Sequence, residues 1–134
     1  MYQRILKYRL FQYGMWRESE EKYGTIYEDR TGSIELLKFL NPVNNYEKVN
    51  AVDGVMLITQ QDLKWREDIF NGWHFYDISH CMEFNRKKLE IVVPKQDEPW
   101  CLHDCGVTDI TVEYEFYRQR FLDEYAVDIF RWKR

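Results

Sequence analysis

A helical period enclosed by two β-type runs does most to limit what this chain can fold into. Between residues 77 and 88 the apolar positions Ile78, Cys81 and Met82, followed by Leu89, recur with the 3.6-residue period of an amphipathic helix. Asp77 stands at the N-terminal end of that period, while Arg86, Lys87 and Lys88 fall in its last turn, so both ends match the helix dipole. Before it, residues 49–59 form a β-branched and apolar run (Val52, Val55, Met56, Leu57, Ile58) broken by Asp53-Gly54, which predicts a buried strand over 52–59 entered through a tight turn. After it, residues 89–93 read as a short strand closed by Pro94. Strand, helix, strand, with the parallel pair that a helical crossover implies, predicts an α/β fold: a small mixed sheet with helices.

The remaining segments attach to that centre. Residues 1–13 alternate loosely enough for a strand, yet Leu6, Leu10 and Tyr13 also suit a helix, and both readings stand. From 16 to 46, dense charge, Gly24, Gly32 and Asn41-Pro42 predict long loops, with a short helix over 33–39 that the proline stops. Residues 100–102 offer a further short strand. Within 108–125, Tyr114, Tyr117, Phe121 and Tyr125 fall at i, i+3, i+7 and i+11, an aromatic stripe that predicts a helix docked on the body.

At 134 residues the chain has the length of one domain, 1–134, and no repeat or low-complexity linker divides it. With 45% hydrophobic residues it has too much apolar material for a disordered chain, and no apolar span reaches the roughly 18 residues that a membrane helix needs. Nineteen Lys and Arg against 23 Asp and Glu leave a net charge of −4, so no electrostatic footprint for nucleic acid is expected. Arg4, Lys7 and Arg9 interrupt the first apolar stretch, which excludes a secretory h-region and predicts a cytoplasmic protein. Cys81, Cys101 and Cys105, an odd number, fit free thiols better than a disulfide framework.

Chemistry concentrates in Gly72-Trp73-His74-Phe75-Tyr76-Asp77. A carboxylate beside Trp and Tyr is partly desolvated, which raises its pKa and improves it as a general base. The competing reading makes Asp77 the helix N-cap, and one residue can serve both purposes. Asp53-Gly54 is a turn signal; alternatively Asp53 points into a cleft to bind a sugar hydroxyl, with Gly54 allowing close approach to the backbone. Cys101, His103 and Cys105 alternate as on one face of a strand, but C-x-H-x-C is a poor zinc pattern. His74 and His80 flank the Asp77 position and read as packing or solvent-facing residues. The chain contains no Gly-rich phosphate loop and no Asp-x-Asp pair.

The string Val52-Asp53-Gly54-Val55-Met56-Leu57-Ile58-Thr59, then Phe70-Asn71-Gly72-Trp73-His74-Phe75-Tyr76-Asp77-Ile78, then Cys81 and Leu102-His103, resembles the C-terminal half of small A-type-fold glycosyltransferases, the streptomycin-biosynthesis-type branch of the family-two-like enzymes. Trp16-Arg17-Glu18-Ser19 with Tyr23-Gly24 is similar to the segment preceding that half. The resemblance implies that Asp77 is the catalytic carboxylate and that Asp53, Gly54, Trp73, His74 and Tyr76 surround a carbohydrate acceptor. It further implies that His103 helps ligate a divalent metal, Mn or Mg, on the diphosphate of a nucleotide sugar.

Inverting transfer would follow: Asp77 takes the proton of an acceptor hydroxyl, which attacks the anomeric carbon as the nucleoside diphosphate leaves. In that family an N-terminal nucleotide-binding half carries the Asp-x-Asp motif, and no counterpart of it is expected here. Activity is therefore expected only with a donor-binding half from a partner chain or a second copy in a homo-oligomer. The alternatives are a non-catalytic remnant that binds carbohydrate through Trp73 and Tyr76, or an interaction module whose aromatics are core.

Overall fold

The structure, a computed structural model, describes residues 22–30, 32–104, 106 and 112–131. The elements run in the order β1 (Thr25–Asp29), β2 (Ile34–Lys38), β3 (Tyr46–Val49), α1 (Tyr76–Arg86), β4 (Ile91–Pro94), β5 (Leu102–Asp104) and α2 (Val112–Arg131). They form the expected α/β fold with two small sheets: β2-β1-β5, in which β1 pairs antiparallel with β2 and parallel with β5, and the antiparallel pair β3-β4. The expectations for residues 1–13 and for Cys105 lie outside the described residues. Among the described residues no helix is long and apolar enough to cross a membrane.

Four sequence expectations change. Residues 33–39 are not helical but supply β2, because Gly32, at φ +80, closes a hairpin that its neighbours could not, and its N–H donates to the Asp29 carboxylate at 2.8 Å. Tyr27 then pairs with Leu36 in register, so part of the stretch read as loop is sheet. Residues 52–59 are irregular, with a turn at Gly54-Val55, rather than a strand. Their backbone is held by α1 instead of a ladder: the Val52 N–H donates to Cys81 Sγ at 3.4 Å and the Gly54 N–H to the Asp77 carboxylate at 2.8 Å. The strands on either side of α1, β3 and β4, pair antiparallel, so the parallel pair is β1-β5, whose long connection contains both.

The fourth change concerns the start of α1. Asp77 is not the N-cap. That position belongs to Phe75, in the left-handed region at φ 65, with no side-chain cap bond. The helix otherwise begins and ends within two residues of the predicted bounds, and Arg86 occupies its last turn.

The core lies between α1, α2 and β3-β4. The α2 stripe is what the sequence predicted: Phe121 and Tyr125 are fully buried, Tyr117 is buried, and Tyr114 packs against them. Phe70 and Phe75 meet this stripe from the segment before α1, with ring centroids 6.1 and 5.5 Å from Phe121. Burial of each such ring stabilises the fold by about 1.5–3 kcal/mol. At the exposed end of the same contact, Arg66 and Arg86 converge on Glu83 and Glu124 at 2.8–3.4 Å, Arg86 reaches Asp128 at 2.8 Å, and the Tyr125 hydroxyl donates to Glu83 at 2.8 Å.

Gly72 sits under the Tyr117 ring, which donates its hydroxyl to Asn71 at 2.7 Å. A Cβ at Gly72 would lie 2.6 Å from the Tyr117 ring. Gly72→Ala is therefore expected to cost about 1–3 kcal/mol through overpacking. In a Tyr117→Leu background the overlap is gone and the same change should cost less, a coupling that urea denaturation of the double-mutant cycle measures.

Candidate functional site

The site is built where an irregular segment meets a helix start. The bends across residues 72–75 end at Phe75, whose left-handed backbone costs on the order of 1–3 kcal/mol for a residue with a side chain. Its buried ring, 5.1 Å from Tyr114 and 5.5 Å from Phe121, supplies the compensating contacts. This geometry puts Tyr76 and Asp77 in the first helical turn, with Asp77 free to bond outside its own helix.

Asp77 accepts two backbone N–H bonds, from Gly54 to Oδ2 and from Ile78 to Oδ1, both at 2.8 Å. Burial nevertheless pushes its carboxyl up from 3.8 to about 6, and the negative charge of Asp53 pushes in the same direction, against those N–H bonds. Tyr76 feels both carboxylates, and burial raises its phenol first, so it remains protonated at neutral pH. Gly54 is required by proximity: a Cβ there would lie 2.5 Å from the Tyr76 hydroxyl and 3.2 Å from Asp77 Cβ.

Two indoles flank Tyr76, and the two nearby histidines pack on other rings. Trp73 is 78% exposed, with its ring 6.4 Å from that of Tyr76. Trp65, which no sequence pattern singled out, lies 6.1 Å from Tyr76 on another side and stacks on His80 at 3.7 Å. His80 is buried, its pKa lowered by that burial, and its Nδ1 has no hydrogen-bond partner among the described residues. His74 stands edge-on to Tyr114 at 5.4 Å. Cys81, one turn after Asp77, has its thiol pushed up to about 12 by burial and is inert at neutral pH.

Asp53, Gly54, Tyr76 and Asp77 are thus brought together, with Trp73 beside Tyr76. His103 lies elsewhere, on β5, which among the described elements packs on β1. Its Nδ1 is 3.8 Å from Glu28 Oε1, and Arg30 holds the same carboxylate through two bonds of 2.8 and 3.3 Å. A divalent cation at His103 would compete with that guanidinium for the Glu28 carboxylate. Among the described residues no group of three or more His, Cys, Asp or Glu could hold a metal ion. The residues described around His103 do not fit the metal.

A carboxyl poised near neutrality, beside a second carboxylate and an exposed aromatic face, defines a site that can take a proton from a hydroxyl group. Comparison with known proteins gives the same direction: a family model described as a glycosyltransferase-like family matches residues 7–125. The chain belongs to that glycosyltransferase-like family. No curated protein and no solved structure matches it.

Because Asp77 holds its proton more tightly in the folded chain than its ordinary value of 3.8 allows, its contribution favours the fold fully below about pH 4 and is lost as pH rises through about 6. Carbon-13 NMR of the carboxyl should give a midpoint near 6, and Asp53→Asn, by removing the like charge, should lower it. A midpoint unmoved by Asp53→Asn would show that the two carboxylates are not coupled.

Proposed function

We propose that this chain provides the acceptor side of an inverting glycosyl transfer, with Asp77 as the general base. The carboxylate removes the proton from an acceptor hydroxyl, the oxygen attacks the anomeric carbon of a nucleotide sugar, and the nucleoside diphosphate leaves from the opposite face. The observation that carries this reading is the placement of Asp77, tied to the Gly54 N–H and preceded by Tyr76 with the exposed Trp73 beside it; burial there raises the carboxyl to about 6, so it is ionised at neutral pH yet a stronger base than an ordinary carboxylate. Burial sets that value first and the charge of Asp53 adds to it, and Asp53 can accept a hydrogen bond from a neighbouring sugar hydroxyl. Trp73 presents a face on which the acceptor ring can rest, and its exposure favours this over a core role. The strings around Asp53 and Asp77 support placement in the streptomycin-biosynthesis-type branch.

On this reading the donor is held mainly by a nucleotide-binding half outside these 134 residues. A diphosphate needs backbone N–H donors, cations or a metal-binding carboxylate pair. The sequence has no Gly-rich phosphate loop and no Asp-x-Asp pair, and its net charge of −4 repels the ligand. Calorimetry of the chain alone with uridine, guanosine and thymidine diphosphate sugars is expected to give millimolar affinity at best, about −4 kcal/mol. Micromolar binding would place a complete donor site on this chain.

With the donor-binding half supplied, turnover is tested by nucleoside diphosphate release at saturating donor with a panel of hydroxyl acceptors. Asp77→Asn should lower kcat by about 10²–10⁴, and the wild-type rate should fall tenfold per pH unit below the Asp77 value. Turnover unchanged by Asp77→Asn would overturn the base assignment. Saturable acceptor binding with no release from any donor would favour the second reading, a carbohydrate-binding module that keeps the cleft without the chemistry.

A further inference from the structure

A cavity of about 440 Å³ opens between α1, the β3-β4 pair and the segment 52–61, lined by Val52, Met56, His80, Cys81 and Val92 among others. Its size and mostly apolar wall are those of a small-molecule site. Its position gives it a use. Val52 is next to Asp53 in sequence, and His80 and Cys81 lie three and four residues after Asp77, one turn along the same helix face. The charges of Asp77 and Asp53 both act on the Cys81 thiol, so the wall of the cavity and the carboxylate pair are electrostatic neighbours. Trp65 bridges the two regions, with one contact to Tyr76 and a stack on His80. His80, kept neutral by burial and also edge-on to Phe84 at 5.0 Å, belongs to this aromatic wall rather than to the proton chemistry.

We propose that this cavity is an aglycone subsite: the acceptor carries an apolar tail or ring that fills it while the acceptor's hydroxyl-bearing part lies at Asp77. The inference rests on the glycosyl-transfer reading and adds the substrate class, an amphiphilic acceptor rather than a free sugar. A wholly polar acceptor would leave the Met56 and Val92 side of the cavity unused. An apolar group gains affinity there for every methylene removed from water, and one buried methylene is worth about fourfold.

Methyl, butyl and octyl β-D-glucopyranoside, the last kept below its micellar concentration, are the probes, and no donor is needed. Binding is read by methyl-¹³C-methionine NMR, since Met56 lines the cavity and Met82 is fully buried in the core as an internal reference. Affinity should rise about fourfold per methylene until the cavity is full, with saturable movement of the Met56 signal and none of Met82. Thr59→Trp, at an exposed position on the cavity wall, should abolish the dependence on chain length. Equal affinity for methyl and octyl glucoside, an unmoved Met56 signal, or a chain-length dependence that survives in folded Thr59→Trp would each overturn the proposal. If Thr59→Trp does not fold, the wild-type series alone decides. Asp77→Asn separates the two readings: loss of transfer in this variant with the chain-length dependence intact supports both, whereas the same loss of transfer with a flat series in the wild type removes the subsite and leaves the transfer chemistry standing.

Discussion

The hydrogen bond from the Gly54 N–H to the Asp77 carboxylate is the contact on which the arrangement of the site depends. A buried carboxylate without N–H partners would take up a proton or force its surroundings open, since burial of an unpaired charge costs several kcal/mol. Asp77 finds one partner in its own helix and the other in a segment that has no strand ladder to satisfy its backbone. Each side therefore supplies what the other lacks. Once Gly54 is pinned, Asp53 is carried to within electrostatic reach of Asp77, and the like charge adds to burial in raising the carboxyl. Had Asp77 been the N-cap, its oxygens would have been spent on the first turn of α1, and the 52–61 segment would have needed another anchor.

Phe75 is what frees Asp77 from that duty, and α2 is what makes Phe75 possible. A left-handed phenylalanine at a helix start is retained only where its ring is over-determined by packing. Tyr114 and Phe121 do this from α2, within 5.5 Å. The Arg66, Arg86, Glu83 and Glu124 cluster then fixes how α2 lies along α1. Partly exposed ion pairs contribute little stability singly, but two guanidinium groups sharing two carboxylates, with Tyr125 bonded to one of them, discriminate against a slipped helix pairing. A path of contacts thus runs from the helix pairing through the aromatic stripe to the backbone at Phe75 and so to the carboxylate.

Periodicity made both helices legible, because a 3.6-residue apolar repeat with charges at its ends has few other solutions, and residues 77–88 and 108–125 each carry one. It failed where tertiary contacts replace local order. Residues 52–59 have strand composition, yet Val52 and Gly54 spend their N–H groups on α1, so a ladder never forms. Residues 33–39 carry Leu36 and Leu37 side by side, which a helix tolerates as well as a strand, and only the positive φ of Gly32 decides for the hairpin. Within the site, Asp53, Gly54, Tyr76 and Asp77 could be named from carboxylate and aromatic clustering. Trp65 could not: it enters through its stack on His80, a contact between residues 15 positions apart that no spacing rule encodes.

The string Trp73-His74-Phe75-Tyr76 shows how one aromatic run serves three environments. Phe75 goes to the core, Tyr76 to the carboxylate pair, and Trp73 to solvent, a separation that the bends before α1 impose on neighbours in sequence. Core packing explains the first and accounts for the second in part. It gives no reason for a tryptophan 78% exposed with its ring 6.4 Å from that of Tyr76. A large ring left in water gains nothing for the fold, whereas under the proposed transfer it would offer a flat apolar face to an acceptor ring whose hydroxyl must be held still while its proton is removed. The exposed indole is therefore the part of the run that folding leaves over, and the acceptor platform proposed above is what would use it.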